Sequence, residues 1–160
     1  MTAEIDLYLK DLHRLFEKLS SSLDGLSEAE LNYKPPAPES NSIFVIATHM
    51  MGNARAWILG ICCGAPIERD RPAEFRASGG DAKPLIDGAR KLFSEIETSL
   101  RALDPASLDD LREARQKLWG AGTAEPVTGR EAITHVVMHW ADHMGQIGLT
   151  KDLARARATS

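Results

Sequence analysis

The chain has 160 residues, 43% hydrophobic and 26% charged, with a formal charge of −4, a length that suits one domain, residues 1–160, with a real core. The acidic balance lacks the basic footprint of a nucleic-acid binder, and no apolar run is long enough to span a membrane. The opening MTAEIDLYLKDLHRLF lacks the basic-then-apolar pattern of a signal peptide. The two cysteines, Cys62 and Cys63, are neighbours with no third thiol to pair with. A reduced, cytoplasmic setting is the default expectation.

Taken in chain order, residues 3 to 23 place Ile5, Tyr8, Leu12, Leu15, Phe16, Leu19 and Leu23 at helical spacing, which predicts a first amphipathic helix. The polar LSEAELNYKPPAPES follows, and its prolines forbid a continuous helix. Asn41 or Ser42 can cap a second helix reaching to about residue 61, with Gly60 and Gly64 as stop signals. Residues 63 to 80 are rich in glycine, proline and charge, and are expected to be loop. A third helix covers about residues 81 to 103, with Leu85, Ala89, Leu92, Phe93, Ile96, Leu100 and Leu103 on one stripe. LDDLREARQKLWG can contain a short helix, and GAGTAEPVTG reads as loop or a small extended excursion. Thr128, with Glu131 three residues on, forms a capping box for a last helix over about residues 129 to 156. Four long helices without convincing strands predict an all-α four-helix bundle.

The chemistry sits in HVVMHWADHMGQ, where His135, His139 and His143 are each four residues apart. At about 100° and 1.5 Å per residue, side chains at i and i+4 stand about 40° and 6 Å apart, near enough to share an ion. The apolar stripe of this helix is Ile133, Val136, Val137, Trp140, Met144 and Ile147. His143 flanks it, and His139 falls about 40° further out. His135 falls another 40° out, beside Glu131 and Asp142. It is read as facing solvent, or as supporting the ligands from behind. In the second helix, His49 and Asn53 share a flank of the stripe Ile43, Ile46, Ala47, Met50, Ala54, Trp57 and Ile61. Asn53 is the candidate pocket residue.

An HxxxH pair alone is a common surface feature of helices. His49, on the flank of a second helix, raises the count to three imidazoles, and three protein ligands with one open position is the usual arrangement of catalytic zinc. His49, His139 and His143 are therefore the candidate metal ligands. Cys62 and Cys63 lie about 20 Å along the helix from His49, too far to become a fourth. Trp57 and Trp140 read as core, and His13 as a solvated histidine.

SNSIFVIATHMMGNARAWILG and TGREAITHVVMHWADHMGQIG resemble the second and last helices of the DinB-like metal-binding proteins. LSEAELNYKP and LDDLREARQKLWG resemble connecting segments of the same family. The resemblance spans nearly the whole chain. It implies a four-helix bundle that binds one divalent metal, commonly zinc or nickel, through His49, His139 and His143. The family often has arginine before its Gly-Gln, where this chain has Met144. Relatives of known activity are S-transferases and isomerases that use low-molecular-weight thiols such as bacillithiol or mycothiol. The resemblance thus implies a thiol cofactor, a small-molecule substrate and a homodimer. Two rivals stand beside the transferase. One is a hydrolase that activates water at the metal, which needs a carboxylate near the site. The other is a metal-binding or sensing domain without turnover.

Overall fold

The computed structural model describes residues 3–119 and 122–158. Helix α1, Ala3–Leu23, buries Ile5, Leu9, Leu12, Phe16, Leu19 and Leu23. A short α2, Glu28–Asn32, follows, and then α3, Ile43–Ala54. Helix α3 runs on without a break as a π-helical stretch, Arg55–Cys62, marked by a bond from the Cys63 N–H to the Ile58 carbonyl five residues back. Next come α4, Arg71–Glu74, and the long α5, Lys83–Ala102. A 3₁₀ turn, Pro105–Asp109, leads into strand β1, Leu111–Arg112, and helix α6, Gln116–Trp119. Strand β2, Val127–Thr128, then enters the last helix α7, Gly129–Ala158.

The long helices form the all-α bundle expected from the sequence. Helix α1 lies against α5 and α7, and α3 with its π-helical continuation lies against α7. Their apolar faces meet in one continuous core. No helix among the described residues is long and apolar enough to cross a membrane.

Two caps fall where the sequence places them. The Ser42 hydroxyl accepts from the Val45 N–H at 3.3 Å. At α7, the Thr128 N–H donates to Glu131 Oε2 at 2.7 Å and the Glu131 N–H donates to Thr128 Oγ1 at 3.2 Å, a complete capping box. The second helix runs through Gly60 and ends before Gly64, whose φ of 73° is the left-handed conformation that glycine adopts at no steric cost.

The connecting segments hold short elements, one of them where loop is expected. The polar stretch after α1 holds α2, because Ser27 and Glu30 cap each other reciprocally and Leu31 beneath them is fully buried. The segment expected to be loop over residues 63 to 80 holds α4. There the Asp70 carboxylate accepts from the Ala73 N–H at 3.0 Å, and Pro72 sits in the first turn where its missing N–H costs nothing. The segment before α7 takes the small extended excursion that was one of its two expected forms, and pairs with β1 in antiparallel register, Leu111 opposite Thr128 and Arg112 opposite Val127. So short a pairing has too few residues to show period-2 patterning, which is why no strand was legible there.

One contact fixes the register of α7 on α3. The Trp140 indole is fully buried, and its Nε1–H donates to the Met50 carbonyl at 2.9 Å. Phe16 of α1 packs on the same ring, with centroids 4.2 Å apart. Trp140 follows His139 and Met50 follows His49, so this bond also sets the height at which the histidines face each other.

Candidate metal centre

Helices α3 and α7 run antiparallel, so ladders spaced by four residues oppose each other in reverse order. His49, Asn53 and Trp57 climb one helix, and His143, His139 and His135 descend the other. His49 Nε2 stands 3.2 Å from His139 Nε2, and His139 Nε2 stands 3.2 Å from His143 Nε2. One ligand atom from each of the three lies within 4.8 Å of those of the other two. The structure thus brings together the three histidines that the helical pattern singles out. Among the described residues, no fourth His, Cys, Asp or Glu joins the cluster.

Protonation follows from the outer partners. His49 Nδ1 lies 2.8 Å from Glu74 Oε2, so it carries the hydrogen and leaves the Nε2 lone pair facing the cluster. His143 Nδ1 lies 2.8 Å from the amide oxygen of Gln146, with the same result. Two lone pairs therefore face His139 Nε2, and a single N–H there satisfies only one of them. The His139 Nδ1 is buried and has no hydrogen-bond partner among the described residues. Two imidazole nitrogens on one tetrahedral zinc stand about 3.3 Å apart. Both the spacing and the donor set fit a divalent cation.

Electrostatics agree. Burial pushes the His139 imidazole from its ordinary 6.5 down to about 3, helped by His143, His49, His135 and Arg69. Burial also lowers His143, against the opposing bond to Gln146. The unfolded chain takes up a proton near pH 6.5 where folded His139 does not, so the metal-free protein loses stability as pH falls from 6.5 toward 3. Thermal unfolding of metal-free protein between pH 7 and 4 is expected to show this slope, and His139→Asn to flatten it. An unchanged slope in the variant would refute the assignment.

Glu74 and Arg69 are the functional residues that sequence reasoning missed. Arg69 donates to Glu74 through Nε at 2.7 Å and Nη2 at 2.9 Å, and through Nη1 to the Leu118 carbonyl at 3.2 Å. Burial opposes the charge on Glu74, but the hydrogen bonds from His49 and Arg69 outweigh it and hold the carboxyl below its ordinary 4.5. Gly52 makes room for this carboxylate, since a Cβ there would fall 2.6 Å from Glu74 Cδ and nearer still to Oε1. Two sequence signals pointed this way: the D-R-P-A-E start of α4, and a glycine one turn after His49 in mid-helix.

His135 corrects an expectation. It does not face solvent. Its ring is half-buried, stacks on Trp57 at 3.7 Å and 20°, and its Nε2 lies 3.2 Å from Asn53 Nδ2. The apolar stripe alone puts His135 outside the core, but α3 and its π-helical continuation pack against that flank and cover it. His135 stays outside the trio, with its ring centroid 5.6 Å from that of His139. Asn53 is 3% exposed and lines a cavity of about 290 Å³ with His49, Trp57, Arg69, Arg71, Trp119, His135 and His139. Met144 is buried in the core. Cys62 and Cys63 are free thiols outside the cluster.

The fold recurs in solved structures. A DinB-like protein from Bacillus cereus ATCC 10987 superposes with a TM-score of 0.71 at 18% identity, covering 92% of this chain and 90% of that one. A conserved protein from Enterococcus faecalis superposes with the same TM-score and identity, covering 98% and 99%. At that identity the likeness speaks for the fold alone. No protein of curated function matches the chain. A family model does match, from residue 11 in α1 to residue 147 in α7, across both helices that carry the trio, and by that match the chain belongs to the DinB superfamily.

Proposed function

We propose that the protein is a divalent-metal-dependent transferase that uses a low-molecular-weight thiol, with His49, His139 and His143 as the ligands of zinc or nickel. The observation that carries this reading is a three-nitrogen cluster at the edge of a cavity, joined by no fourth His, Cys, Asp or Glu among the described residues. A divalent cation held there by His49, His139 and His143 would supply positive charge that favours the deprotonated form of a thiol at neutral pH.

The chain's own residues do the rest. Glu74 and Gln146 fix the two outer imidazoles with their Nε2 lone pairs inward. Trp57 and Trp119, with ring centroids 4.9 Å apart, wall the cavity and keep its dielectric low. Asn53 steadies His135. Hydrolysis is the weaker reading. Glu74 is the carboxylate bonded to a trio histidine, and it is committed to His49 and Arg69 rather than free to take a proton from water.

Cobalt-substituted protein tests the proposal. Low-molecular-weight thiols at millimolar level are expected to add a sulfur charge-transfer band in the near ultraviolet, stronger as pH rises until hydroxide competes. Absence of any such band across neutral pH would overturn the thiol reading.

A further inference from the structure

Resting on that reading, we propose that Arg71 is a carboxylate-binding residue in the cleft beside the trio, so that the favoured thiol or acceptor carries a monoanionic carboxylate. Among the described residues, two arginines, Arg69 and Arg71, line the cavity, and no Asp or Glu does. That lining is positive in a chain whose formal charge is −4. Arg69 contributes little free charge, because Glu74 binds it at 2.7 and 2.9 Å and the Leu118 carbonyl takes a third N–H. Arg71 is different. It is half-buried, and among the described residues no carboxylate pairs with it.

What holds Arg71 is an aromatic ring. Its guanidinium carbon lies over Phe75 at 4.8 Å from the centroid, and Phe75 in turn packs on the His49 ring at 4.8 Å. Phe75 therefore joins the cation to a trio histidine and anchors it at the edge of the cleft. A contact with a ring takes up none of the guanidinium N–H groups as hydrogen bonds to an acceptor atom, so they stay available to a ligand, and their fork matches the two oxygens of a carboxylate. Apart from the charge a bound metal would supply, the single Arg71 guanidinium suits one carboxylate. Low-dielectric walls of tryptophan strengthen the attraction.

The test compares isosteric ligand pairs on the cobalt-loaded full chain, read by the cobalt spectrum. In the wild type, 3-mercaptopropionate is expected to bind at least about 10-fold more tightly than 3-mercaptopropionamide. Arg71→Gln is expected to cut that ratio about 10-fold while leaving metal content and amide binding unchanged. Arg71→Lys, which keeps the charge without the fork, should fall between. Carboxylate chelation of the metal itself would raise the ratio equally in both proteins, so the drop between them is the measure. An equal ratio in wild type and Arg71→Gln would overturn the proposal. Succinate and succinamate form a second pair that needs no thiol. If no thiol binds but Arg71→Gln still weakens succinate selectively, the thiol reading fails and the Arg71 assignment stands. If neither pair responds to the substitution, the assignment fails.

Discussion

His139→Ala is expected to strip the protein of divalent metal, while His135→Ala retains nearly all of it. The two residues share a helix, a side-chain type and a half-buried position, so the contrast isolates geometry. His139 Nε2 lies 3.2 Å from both His49 Nε2 and His143 Nε2 and is the hub of the cluster. Without it, two donors remain, and no other His, Cys, Asp or Glu among the described residues can replace the third. The loss should exceed the roughly 10–100-fold typical of residues that only support ligands. His135 offers its Nε2 to Asn53 and its face to Trp57, so its removal disturbs the cavity wall and leaves the donors in place. Metal analysis of the purified variants, followed by competition with a chelator, reads both effects. Equal loss in the two variants would mean that His135 ligates, and the trio assignment would fall.

Gly52→Ala should weaken metal binding roughly 10–100-fold without altering any donor atom. The new Cβ would fall 2.6 Å from Glu74 Cδ, so the carboxylate must leave His49 Nδ1. His49 then loses the partner that fixes its ring and tautomer. The sign is informative, because alanine in a helix interior ordinarily stabilises by about 0.5–1 kcal/mol relative to glycine. Glu74→Ala should weaken metal binding comparably. It should also cost the metal-free protein about 3–5 kcal/mol, because it leaves the Arg69 guanidinium, 4% exposed, buried without its counter-charge. Adding Gly52→Ala to Glu74→Ala should weaken the metal no further, since both remove one interaction. Denaturant unfolding and metal titration of the three variants decide it. Additive losses would separate Gly52 from Glu74 and refute the clamp.

Helix periodicity determined the four long helices and two of their caps, because those signals are local: apolar residues every three or four positions, and a side chain within reach of its own backbone. It also singled out His49, His139 and His143, since a flank position on an amphipathic helix is readable from angle alone. Recognition of the family came from the same two helices. Tertiary structure decided the rest. Glu74, itself held by Arg69, acts on His49 from 25 residues away, and no local periodicity encodes that meeting. The short helix that delivers Glu74 has four residues, too few to show a period. Helical spacing sets the angle of His135 on α7 but does not encode which neighbour covers that side. Burial there depends on the antiparallel packing of α3, held in register by the Trp140 bond to the Met50 carbonyl. A sequence lists the donors of such a site. The packing of one helix on another decides which of them converge, which are braced from behind, and which arginine is left without a counter-charge.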